Sequence, residues 1–101
     1  MTKSFLIVVS DPIAIIKQSP ENPSTSTIVR FDGAASYALQ SRLNRYTWEL
    51  FDDQGEKIYT KQSKDFSRQF AKPGTYTVKL TVTDELGQSN QESRIVFIDS
   101  T

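Results

Sequence analysis

The sequence predicts an all-β fold, a sandwich of two antiparallel sheets holding seven or eight short strands. Three observations predict it. Apolar residues recur at every second position in short runs, turn residues punctuate those runs every 8 to 12 residues or so, and no window of helical length carries a convincing helical period. Only Ala34 to Leu43 has room for a single helical turn.

The clearest run places Tyr76, Val78, Leu80 and Val82 on one side and Thr75, Thr77, Lys79, Thr81 and Thr83 on the other. That is the pattern of a half-buried antiparallel strand. Tyr46, Trp48 and Leu50 alternate with Arg45, Thr47 and Glu49 in a second strand, and Val29 and Phe31 flank Arg30 in a third. The predicted core is therefore Phe31, Tyr46, Trp48, Tyr76, Val78, Leu80 and Val82. Ile13 to Ile16 and Ile95 to Ile98 are nearly continuous apolar runs, expected for strands close to the chain ends, while Lys57 to Thr60 and Phe66 to Phe70 supply two weaker ones.

The punctuation agrees. Asp52-Asp53-Gln54-Gly55 and Asp84-Glu85-Leu86-Gly87 each end in a glycine able to take positive φ between two alternating runs, and both read as hairpins. Lys72-Pro73-Gly74 is a turn with φ preset by proline, and Ser19 to Ser26, with Pro20 and Pro23 among Ser and Thr, is a loop.

Composition narrows function. The chain has 101 residues, with twelve Lys and Arg against twelve Asp and Glu, no His and no Cys. One domain of this size removes roughly two-thirds of its unfolded surface from water, so its core needs no metal or disulfide, and no cofactor is expected. Zero net charge and the lack of a basic cluster argue against nucleic acid. The lack of imidazole and thiol removes most nucleophilic triads, zinc sites and redox motifs, and carboxylate chemistry is the enzymatic reading that remains. That needs two carboxyl groups about 5 to 9.5 Å apart in a cleft, whereas Asp52-Asp53 and Asp84-Glu85 sit at hairpin tips. No enzyme is expected. The longest apolar run, Phe5 to Val9, falls short of the ~20 residues of a membrane span and the ~7 to 15 of a signal core, so any export signal would lie outside these residues.

Four strings in order carry a family resemblance. They are Pro12-Ile13-Ala14-Ile15-Ile16 up to Ser19-Pro20, then Val29-Arg30-Phe31-Asp32-Gly33, then Arg45-Tyr46-Thr47-Trp48-Glu49-Leu50, and finally Phe70 through Pro73-Gly74-Thr75-Tyr76 to Thr83-Asp84-Glu85-Leu86-Gly87. Across residues 11 to 98 the chain resembles the polycystic kidney disease (PKD) domain, an immunoglobulin-like sandwich. The resemblance implies a non-catalytic module of a larger exported or cell-surface protein, periplasmic in some settings, that spaces domains in a tandem array and contacts protein. Its expected partners are neighbouring domains of the same chain and another protein. A polysaccharide-binding accessory module of a secreted hydrolase, with weak polysaccharide contact, is the second implied role. The outward positions of the strongest strands carry Thr, Lys, Arg and Glu rather than an aromatic row, which speaks against it.

The departures matter as much. Some relatives bind calcium through acidic loops, but Ala38-Leu39-Gln40-Ser41 stands where many carry Asp-Pro-Asp-Gly. Calcium takes six to eight oxygens, so only Asp52 and Asp53 remain as weak metal candidates, against a plain solvated turn. Trp48 is either a sugar-stacking platform or, by its parity with Tyr46 and Leu50, a core residue. Tyr76, just after Pro73-Gly74, suits a tyrosine-corner hydrogen bond. Tyr37, Leu39 and Leu86 are apolar at one end of the expected sandwich, where they form either a contact patch or a lid on the core. Phe5, Leu6 and Ile7 head a run resembling the chain's own last strand, Ser93 to Ser100. Residues 1–10 are thus either the last strand of a preceding repeat or the start of a split first strand of the domain at 11–101. The chain should arrive near Pro12 and leave near Ile98 at opposite ends.

Overall fold

Alternation along the chain decides which side chains meet between the sheets. The computed structural model describes residues 11–39 and 41–100. Seven strands follow in order: β1 (Lys17–Ser19), β2 (Ile28–Asp32), β3 (Leu43–Phe51), β4 (Lys57–Gln62), β5 (Asp65–Gln69), β6 (Gly74–Asp84) and β7 (Ser89–Ile98). They form a three-stranded sheet ordered β1-β2-β5 and a four-stranded sheet ordered β4-β3-β6-β7, antiparallel throughout. No described residue is helical.

The register aligns the apolar parities. Trp48 lies opposite Leu80, Leu50 opposite Val78 and Tyr46 opposite Val82, while Val96 on β7 faces Tyr76. Phe31, Trp48, Leu50, Val78, Leu80 and Val82 are fully buried, and Tyr46 and Tyr76 are partly buried against them. Phe66 from β5 stacks 5.0 Å from Phe31 and meets Trp48 edge-on at 5.2 Å, so the aromatic cluster joins the two sheets. The indole N–H of Trp48 donates to the Ser63 carbonyl at 2.9 Å, which satisfies its one polar atom. Gly33 is packed so closely that a Cβ there would lie 2.9 Å from Leu80 and 3.1 Å from the Lys64 carbonyl. Glycine at this position is a packing requirement.

Two expectations are corrected. Ile13 to Ile16 is not a strand: Ile13 makes an isolated bridge to Tyr37, and the first strand proper begins at Lys17. The physical reason lies in its partners, since the Ile15 amide donates to Ser36 Oγ and the Ile16 amide to Glu92 Oε2, so side chains replace a backbone ladder. Ala14 and Ile16 still bury their side chains. The segment from Ala34 onward makes no helical turn either. A single Ser36 amide to Gly33 carbonyl bond closes a tight turn there, and the Tyr37 bridge then holds the chain extended.

These contacts define two ends. At the amino pole the Pro12 carbonyl accepts from Asn90 Nδ2 at 2.9 Å, and Asn90 lies opposite Val82. At the carboxyl pole Ile98 lies opposite Gly74, and Asp99 is tied by its amide to Pro23 and by its carbonyl to Thr25. β6 separates the two poles, and the stretch from Gly74 to Val82 rises about 27 Å at about 3.4 Å per residue.

Candidate functional site

The amino pole gathers exposed apolar groups. Ile13 and Tyr37 exchange both backbone hydrogen bonds, at 2.7 and 3.0 Å, so their side chains are neighbours there. The Glu85 amide donates to the Arg42 carbonyl at 2.9 Å, which brings the β6–β7 turn against the loop between β2 and β3. Tyr37, Leu39 and Leu86 are 47%, 67% and 58% exposed. They face solvent at one end of the sandwich. Gln40, Phe5, Leu6 and Ile7 lie outside the described residues.

The turn that carries Leu86 is built by Asp84. Its Oδ1 accepts from the Leu86 and Gln88 amides at 3.0 and 2.9 Å, its own amide donates to the Gln88 carbonyl, and the Gly87 amide returns to the Asp84 carbonyl. Gly87 has φ of 84°, which an L side chain resists. At the carboxyl pole Asp52 repeats the arrangement, with Oδ1 accepting from Gln54 and Glu56 at 2.9 Å each and Gly55 at φ of 77°.

These bonds bear on metal and acid chemistry. The Asp52 carboxylate is committed to its own turn, the first loop offers Ala38, and no group of three or more metal-ligating side chains occurs among the described residues. The donor set does not fit a calcium ion. The two acid pairs sit at opposite poles, too far apart to share a substrate. Nearby, Tyr76 OH donates to the Lys72 carbonyl at 2.7 Å, closing a tyrosine corner that locks the start of β6.

Two exposed apolar residues lay hidden in the sequence. Ile95 and Phe97 are 58% and 66% exposed on the outer face of β7, while Val96 and Ile98 between and beyond them are buried. A continuous apolar run masks its own alternation, so only knowledge of which sheet covers β7 reveals them. On the outer face of the other sheet Arg30 bridges Asp32 at 3.2 Å and Asp65 at 2.6 Å. The hydrogen bond to Asp65 is the first cause of an Arg30 pKa above its ordinary value, followed by the charge of Asp32.

A family model for the PKD domain matches residues 9–98. The chain belongs to the PKD domain family. Collagenase ColA of Clostridium perfringens is 34% identical over 97 residues, covering 96% of this chain but only 8% of that protein's length. Among solved structures, one of carbohydrate-binding modules of promiscuous specificity from the β-sandwich superfamily is 31% identical with a TM-score of 0.81, over 94% of this chain and 37% of that one. The PKD1 domain of Vibrio anguillarum Epp gives a TM-score of 0.73 at 22% identity, over 93% of this PKD domain and 100% of its own chain. The PKD1 domain of the Vibrio cholerae metalloprotease PrtV gives 0.72 at 23%, over 89% and 99%. At these identities the two Vibrio domains share the fold.

Proposed function

We propose that this PKD domain is a non-catalytic spacer and protein-interaction module of a larger exported or cell-surface protein, repeated in a tandem array. The observation that carries this reading is the placement of Pro12 and Ile98 at opposite poles, about 27 Å apart along β6. A chain that arrives at one end and leaves at the other adds its own length to whatever it connects. The 96% coverage of this chain by a region amounting to 8% of a collagenase supports a role as one part of a long polypeptide. The domain proper is read as 11–101, with residues 1–10 belonging to its approach or to a preceding repeat. Pro12 fixes φ and biases Asp11 toward extended backbone, which limits bending at that junction. Tyr37, Leu39 and Leu86 at the amino pole are the contact residues proposed for the neighbour on that side.

A second reading has one specific support, the likeness to a carbohydrate-binding module structure at 31% identity. In it the module is an accessory that holds polysaccharide weakly. Trp48, the residue best suited to stacking on sugar, is fully buried here, which favours the spacer.

Small-angle scattering on the parent protein, with and without this module, separates the two. The spacer reading expects an extended envelope that shortens by something over about 20 Å on deletion. A compact envelope unchanged in length, together with lost retention on insoluble polysaccharide, would establish the accessory role instead.

A further inference from the structure

The outer face of the four-stranded sheet carries an apolar stripe next to the carboxyl pole. Ile95 lies opposite Thr77 and Phe97 opposite Thr75, and Thr77 in turn lies opposite Phe51 on β3. The register shift between Leu50 and Phe51 pairs Phe51 with Lys57 and leaves Ile58, 40% exposed, as the extra residue between Lys57 and Tyr59. From Phe51 outward to β7 these two rows hold no ionised side chain. The next row toward the amino pole is charged, with Glu49 held by Lys57 at 3.3 Å and Lys79 at 4.0 Å. An apolar strip with a charged border is the anatomy of an interface core and rim.

We propose that this stripe is the docking face for the domain that follows in the same polypeptide, which leans over the sheet at the carboxyl pole and is held there at a fixed angle. The proposal rests on the reading of this chain as one module of a longer protein. Three observations choose the occupant. With Phe97 two-thirds exposed and Ile95 and Ile58 partly so, the apolar area offered is on the order of 300 to 400 Å². That is well short of the ~800 Å² per partner of a stable complex between separate proteins, yet within the range of about 600 to 1,500 Å² in total that domains of one chain bury between them. A partner must therefore be tethered, so that effective concentration makes up for area.

Position supplies the tether. Phe97 sits two residues before Asp99, whose backbone is fixed to Pro23 and Thr25, so the polypeptide leaves the domain from a defined point beside the stripe. The chemistry supplies the type of surface. An uncharged strip of Phe, Ile and Thr matches an uncharged apolar face, not an acidic peptide or a polyanion. The opposite edge of the sheet contrasts with it. β4 carries Lys57 and Lys61, the usual guard of an edge strand, whereas the carboxyl end of β7 presents Ile95 and Phe97 with no charge between them.

Hydroxyl-radical footprinting of the parent protein reads the side chains directly. Phe97 in the intact parent should be oxidised at least about threefold more slowly than in a parent carrying a flexible Gly-Ser insertion of roughly 20 residues after Thr101, which dilutes the tethered neighbour. The protection should survive tenfold dilution of the protein. Ile95→Asp should remove the protection while leaving the melting temperature of the module within a few degrees, because the side chain is already exposed. Equal reactivity of Phe97 in the intact and insertion forms would overturn the proposal, as would protection that fades on dilution, which indicates a second copy, or protection that appears only with added polysaccharide. An extended scattering envelope with Phe97 unprotected sinks this inference and spares the spacer reading. A compact envelope with Phe97 protected does the reverse.

Discussion

The two hairpin turns of the four-stranded sheet are chemical twins placed in unlike surroundings. Asp52 to Glu56 and Asp84 to Gln88 share the pattern Asp-X-X-Gly-X and the same bonds, an aspartate Oδ1 accepting from the amides two and four residues on, and a glycine at φ near 80°. Asp84 is 2% exposed and its turn is fastened to the β2–β3 loop through Glu85 and Arg42. Asp52 is only half-buried, and Asp53 beside it is exposed. The same local motif thus serves as a clamp of the amino pole in one place and as a plain chain reversal in the other. Sequence sets the geometry of such a turn, and burial sets its worth.

The amino pole should consequently be the costlier one to damage. The largest effect is expected from Trp48→Ala, which removes the ring packed on Phe66 and the bond to Ser63 beneath that pole and should cost roughly 3 to 5 kcal/mol in chemical denaturation. A loss under about 1 kcal/mol accompanied by weaker polysaccharide retention would place Trp48 at a surface instead.

Asp84→Ala comes next. It removes a buried carboxylate that two amides donate to and should lose about 1.5 to 3 kcal/mol, whereas Asp52→Ala, where water can replace the half-buried carboxylate, should lose about 1 kcal/mol or less. Equal losses for the pair would break the comparison. Tyr76→Phe sharpens it from the other side, because deleting the hydroxyl bond to Lys72 isolates what the tyrosine corner gives the carboxyl pole. About 0.5 to 1.5 kcal/mol is expected by thermal melting.

How far the sequence reveals this arrangement depends on the range of the contacts involved. Alternation in β3 and β6 is legible because each strand is covered on one face only, so Tyr46, Trp48 and Leu50 and the run Tyr76 to Val82 announce their own parity. The turns are legible for a similar reason, being closed within five residues. The segment Ile13 to Ile16 reads as a strand because apolar runs usually are. Its amides, however, are held by Ser36 and Glu92, 21 and 76 residues away, and no local pattern encodes that. The outward Ile95 and Phe97 are missed for the converse reason. Their run is apolar on both faces, and only the sheet order, with β7 at an edge, tells which face lies bare.

The smallest expected effect is that of calcium. A ligand at a hundredfold its dissociation constant adds about 2.7 kcal/mol to stability. With Asp52 Oδ1 engaged in its own turn at the carboxyl pole and Ala38 in the β2–β3 loop at the opposite pole, millimolar calcium should leave the melting temperature unchanged. A rise reversed by chelator would show that the carboxyl-pole turn holds an ion after all.

The central claim is that the module spans the distance between its two chain ends as a rigid body. The chain has no cysteine, so spin labels can be attached at Gln54→Cys and Glu85→Cys, one on each exposed turn at opposite poles, without background. Pulsed electron paramagnetic resonance on the doubly labelled protein should give one narrow distribution centred at about 30 Å or beyond, from the length of β6, and that distribution should stay unchanged within the parent protein. A centre below about 20 Å, or a broad distribution that shifts when neighbouring domains are removed, would contradict it.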